Sequence, residues 1–134
     1  MRDPREILAR IRAQADAATE GPWTAEYSGE QGNCVLPPGY QSTREAVAVT
    51  RLLSAQADAE FIAASRTTVP RLLDALEKVL RLHPRVVVLH ADPEFGRMED
   101  DAICGACIVN HEPADWPCPN VVAITTALEG ANYA

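Results

Sequence analysis

Cys104-Gly105-Ala106-Cys107, followed after a gap by Trp116-Pro117-Cys118-Pro119, is the stretch that decides how this chain is read. A Cys-x2-Cys pair offers two thiolates from one tight turn, with Gly105 easing that turn. A third cysteine, Cys118, follows with ten residues between and can close around the same ion. One histidine would complete a tetrahedral Cys3His zinc site. His83, His90 and His111 are the three available. His83 ends an expected helix, a fixed platform for a ligand; His90 leaves an expected strand; His111 lies between Cys107 and Cys118. A site with four protein ligands leaves no open coordination position, so it serves folding rather than catalysis.

Working outward, the 134 residues make one domain, or a domain of residues 1–84 carrying an appended segment of residues 85–134. Aromatics are few and alanine is abundant, which suits helices packed closely through small side chains. Prolines at 37–38, 84, 93, 113 and 117 fall outside the expected helices and Pro119 at the very start of the last one, so the C-terminal third should be mostly turns and short extended pieces.

Residues 3–18 have the pattern of an amphipathic helix, with Asp3 as cap, Pro4 in the first helical position and Glu6 completing a capping pair. Ile7, Leu8, Ile11, Ala15 and Ala18 share one face. From Trp23 to Thr50 the period shortens, and a meander of two or three strands is expected: one from Trp23 to Tyr27, then Asn33–Leu36 and Ala46–Thr50. A helix over 55–65, with Ser54 as cap, and another over 68–83, capped by Thr68 with Val69 and Pro70 in its first turn, follow. Leu72, Leu73, Leu76, Val79 and Leu80 form the buried stripe of the second, with His83 a candidate to extend it. Pro84 ends it. Val86–Leu89 is a strand, Glu94–Asp101 an acidic loop, and 119–128 a short terminal helix. The fold class is α+β: an N-terminal helix, a small antiparallel sheet, two further helices and a zinc-stapled irregular tail.

Charge narrows the partners. The net charge is −7, and residues 85–134 hold eight acids against Arg85 and Arg97. Phosphate backbones are held by clustered Lys and Arg, so this segment speaks against direct nucleic-acid binding and favours a protein partner with a basic surface. Mimicry of nucleic-acid charge by the same segment is a sharper variant. No apolar run follows Arg2 and Arg5, and no stretch is long enough to span a bilayer, so neither a secretory signal nor a membrane span is expected. A cytoplasmic, reducing location follows, where Cys-x2-Cys binds metal more often than it forms a disulfide.

Gly21-Pro22-Trp23, Ala57-Asp58-Ala59-Glu60-Phe61-Ile62-Ala63-Ala64 and Val69-Pro70-Arg71-Leu72-Leu73-Asp74-Ala75-Leu76-Glu77 together resemble small proteins of actinobacterial phages and prophages labelled Ead/Ea22-like. The Cys-x2-Cys … Trp-Pro-Cys-Pro tail is similar to one found on many of them. Their Val-Leu-x-Leu-His pattern matches Val79-Leu80-Arg81-Leu82-His83, so the resemblance favours His83 as fourth ligand. It implies a phage accessory protein acting in a bacterial host. Relatives often have Pro-Cys-Pro-Thr where this chain has Pro117-Cys118-Pro119-Asn120, and Asn can also cap a helix.

The function expected is therefore a non-enzymatic binding module that engages a host or phage macromolecule. The rival is a zinc-dependent hydrolase or nucleotide-handling enzyme with Glu99 or Glu112 as base. A deaminase is excluded, since no His-x-Glu precedes the cysteine turn. A zinc-knuckle DNA regulator suffers from the surrounding acidity. Redox use of Cys104 and Cys107 is disfavoured because Glu99, Asp100 and Asp101 precede the pair and like charge opposes thiolate formation. Cys34 stands alone and suits a small buried apolar residue. Trp23 suits the core, and Trp116 should pack over the metal knuckle.

Overall fold

Asp3 starts the first helix as its pattern requires. Its carboxylate accepts from the Arg5 N–H at 2.9 Å and its carbonyl accepts from Glu6 and Ile7. In the computed structural model, which describes residues 2–28, 32–51, 53–91, 98–109 and 112–130, this helix, α1, covers Pro4–Ala17. The side chains of 89–91, 98–101 and 109 are outside the description. The architecture is α+β, with two three-stranded antiparallel sheets and three α-helices among the described residues. The chain forms two compact units: residues 10–74, and residues 1–9 with 75–134.

In the first of these, β1 (Thr24–Ser28), β2 (Gly32–Leu36) and β3 (Ala48–Thr50) make the expected meander with β2 central. Gly32 takes φ 85°, and a Cβ there would meet the Thr50 carbonyl oxygen at 3.0 Å. Cys34, Val35 and Leu36 are fully buried. Val35, Ala59 and Ala63 form a core against which Trp23, Ala25, Val47, Ala48 and Ile62 pack. The alanines let the helix backbone approach the sheet closely. Trp23 also donates from Nε1 to the Thr19 carbonyl, and the Arg66 guanidinium lies 5.9 Å from its ring centre.

Where two helices were expected, one runs without a break: α2, Ala55–Leu82, with Pro70 inside it. Thr68 is a mid-helix residue, not a cap. The reason is a stripe that does not stop at residue 65. Ala55, Ala59, Ile62, Arg66, Val69, Leu73, Leu76, Leu80 and His83 follow one another at alternating spacings of four and three, and each is buried or half-buried. Proline inside a helix costs about 3 kcal/mol through the lost hydrogen bond and the clash one turn back. Burial of several side chains at roughly 1.5–3 kcal/mol each outweighs that. Leu72, expected in the stripe, is 57% exposed, and Val79 also faces solvent.

In the other unit the C-terminal third is more regular than its prolines suggest. β4 (Arg85–Ala91), β5 (Met98–Val109) and β6 (Glu112–Asp115) form an antiparallel sheet in that order, and α3 spans Pro119–Gly130. Residues 98–101, expected in an acidic loop, belong to β5, paired with Ala91 through Val88; residues 92–97 lie outside the described residues. The alternation signal was masked there because β5 carries acids opposite an apolar strand. No helix among the described residues is long and apolar enough to cross a membrane.

Candidate metal centre

Three chain segments bring four ligands to one point. Stripe spacing carries His83 to the end of α2, one step beyond the buried Leu80. Pro84 then turns the chain, and its carbonyl accepts from the Gly105 N–H at 2.9 Å. Cys104 and Cys107 sit inside β5, at a bulge. Ile103 pairs with Asp115 and Ile108 with Pro113, so five steps on β5 oppose two on β6. The three extra residues are taken up by the Cys-Gly-Ala-Cys turn. Gly105 is needed for space: a Cβ there would come within 2.9 Å of Pro84 Cγ and 3.0 Å of Val86 Cγ2. Cys118 sits just ahead of α3, where its carbonyl accepts from Val122. The cap position thus belongs to Cys118, not Asn120; the Asn120 amide instead points at Cys107 Sγ, 3.9 Å away.

His83 Nδ1 lies 3.6 Å from Cys104 Sγ, 3.2 Å from Cys107 Sγ and 3.7 Å from Cys118 Sγ. All four ligand atoms fall within 4.8 Å of one another, and no disulfide joins the cysteines. A tetrahedral ion with M–S of about 2.3 Å and M–N of about 2.0–2.1 Å requires S···N separations of about 3.6 Å. The three observed distances bracket that value. Cys104 and Cys118 are 2% and 0% exposed, while Cys107 and His83 are half-buried. The set can hold a metal ion.

One of the thiols, Cys104, is also prepared for charge. Burial opposes ionisation of Cys104, but the Ala106 N–H, His83, the Cys107 N–H and Cys118 together bring its pKa down from 9.0 to about 6. Two backbone N–H groups aimed at the first sulfur of a Cys-x2-Cys turn stabilise a thiolate directly. At Cys104 these hydrogen bonds outweigh burial and lower the pKa, although Glu99, Asp100 and Asp101 precede the pair in sequence. Cys107 moves the other way, to about 11, because Cys118, burial and Cys104 all disfavour a second negative charge.

His90 pairs in register with Glu99, five residues along β4 from the Arg85–Cys104 rung, or about 17 Å of strand. Its side chain and all of His111 lie outside the description. Glu112 is exposed at the start of β6, and the Glu99 side chain is not described.

One supporting residue has no signature in the sequence. Arg5 donates from Nη2 to the Leu80 carbonyl at 3.0 Å, across 75 residues, and its guanidinium lies 5.4 Å from the Trp116 ring centre. It ties the turn that carries His83 to the segment that carries Cys118. Trp116 itself is anchored by its N–H on the Ala102 carbonyl at 2.8 Å. Comparisons with protein-family models, with curated proteins and with solved structures find no match to this chain.

Proposed function

We propose that this protein is a small zinc-stapled binding module, with Zn2+ held by Cys104, Cys107, Cys118 and His83 Nδ1. The observation that supports this most is the match between the three S···N distances and the edges of a tetrahedron around zinc. Sulfur donors select a soft ion, and a tetrahedral set of three sulfurs and one nitrogen suits zinc rather than calcium or magnesium. With four protein ligands the ion has no position for water or substrate, so its role is to hold the end of α2, β5 and the start of α3 together. Structural zinc of this kind contributes about 10–16 kcal/mol to folding.

The rest of the reading is the setting. The acidic balance of residues 85–134 favours a protein partner with a basic surface over nucleic acid. The resemblance of the Ala-Asp-Ala-Glu-Phe-Ile block and the cysteine tail to Ead/Ea22-like proteins supports a phage accessory protein working in the reducing cytoplasm of a bacterial host. The test is elemental analysis of untagged protein, followed by exchange of the ion for Co2+. One zinc per chain and the visible absorption of tetrahedral cobalt with thiolate charge-transfer bands are expected. Metal-free native protein, or a cobalt spectrum of five- or six-coordinate form, overturns the closed structural site.

A further inference from the structure

The two edges of the second sheet are built differently. β6 is blunted: Pro113 lacks an N–H, and Glu112 and Asp115 are exposed charges. These are the devices by which natural sheets discourage strand addition. β4 has none of them. Among the described residues it pairs only with β5, it contains no proline or acid, and its one Lys or Arg, Arg85, is at its end. Val86 is 39% exposed and Val87 42%, and alternation places neighbours on opposite faces. Its edge away from β5 therefore presents unpaired backbone N–H and C=O groups among the described residues, flanked by partly exposed valines rather than by charges or proline.

We propose that β4 is a dimerisation edge: two copies of this chain pair their β4 strands antiparallel about a two-fold axis and join their sheets into one of six strands. Charge selects this occupant and this direction. β4 begins at the Arg85–Cys104 rung and ends at the Ala91–Met98 rung, where β5 continues with Glu99, Asp100 and Asp101. Self-pairing centred on Val88 sets Arg85 of the second copy beside Ala91. It then stands two strand spacings, about 9.6 Å, from Met98, next to which that acidic stretch begins. Parallel self-pairing would instead set the two Arg85 residues side by side. The symmetric arrangement also ends itself. It consumes both open edges and leaves a blunted β6 at each end, so the assembly closes at two rather than growing into a fibre. A seven-residue strand is shorter than a standard interface requires, so the dimer should dissociate on dilution.

The inference does not depend on which ion fills the cysteine site. Sedimentation velocity over a wide concentration series should show the 14.5 kDa monomer giving way to a species of twice that mass. Val87→Lys, a charge at an exposed edge position, should weaken association at least tenfold while the circular dichroism spectrum and metal content stay unchanged. Arg85→Glu should weaken it too, and added salt should shrink the difference from wild type. Amides of 86–89 should gain hydrogen-exchange protection as concentration rises. Should Val87→Lys lose its fold, Arg85→Glu and the exchange data decide. A wild-type monomer throughout the series overturns the proposal. So does a dimer that both variants leave intact, with unchanged exchange at 86–89.

Discussion

Replacing His83 by alanine removes the single nitrogen from the cluster and leaves three sulfurs. Zinc binding of about 10–16 kcal/mol shared over four ligands gives roughly 2.5–4 kcal/mol for each, which corresponds to a loss of about 10²–10³ in affinity. The observed geometry supports assigning a full share to His83, because its Nδ1 is within 3.7 Å of every sulfur. With free zinc buffered well above the wild-type dissociation constant, the same difference appears as stability. For a chain of this size it should lower the melting temperature by roughly 10 °C. Competition against a chromophoric chelator reports the affinity, and melts with and without EDTA report the linkage. His90→Ala, taken through the same measurements, should behave as wild type. If His83→Ala keeps wild-type affinity and melting, or if His90→Ala takes its place as the damaging change, the convergence on His83 is wrong.

Arg5→Ala should cost about 2 kcal/mol in zinc-loaded protein, from the hydrogen bond to Leu80 and the contact with the Trp116 ring, as measured by urea denaturation; an unchanged midpoint refutes the positioning role. Zinc affinity should fall at least tenfold for each unit of pH lowered near neutrality. The sign follows from Cys107: its thiol is raised to about 11, so it is protonated in the metal-free cluster and must release that proton to bind the ion. Chelator competition at several pH values checks this, and a flat profile contradicts it. Gly105→Ala should lower stability by about 1–3 kcal/mol and slow metal uptake, because its Cβ meets Pro84 and Val86, whereas Gly130→Ala, with open space around it, should be neutral in the same melts.

The ligands were legible because their chemistry is local. A Cys-x2-Cys turn and a nearby third cysteine constrain each other within fifteen residues, and His83 lies where a helix stripe ends. The meander at 24–50 was legible from alternation and turn residues for the same reason. The break expected near Thr68 was a local signal that lost to a longer one: the four-three spacing from Ala55 to His83 crosses Pro70 without interruption. β5 was hidden for a different reason. Its first residues are charged and its middle is bulged, so neither period 2 nor apolar content marks Met98–Val109 as a strand. Arg5 could not be found at all from spacing, since its partners are set by folding rather than by neighbourhood.

The unit that holds Cys104, Cys107 and Cys118 is discontinuous along the polypeptide: it comprises residues 1–9 and then residues 75–134, with the compact unit of 10–74 made in between. During synthesis the intervening unit is available to fold first, while the opening turn of α1 must wait for Leu80 and Trp116 to be made. Ion capture then becomes a late event that reports whether both ends of the chain have met, and a ribosome stalled before Cys118 would leave the first two sulfurs without their closing partner.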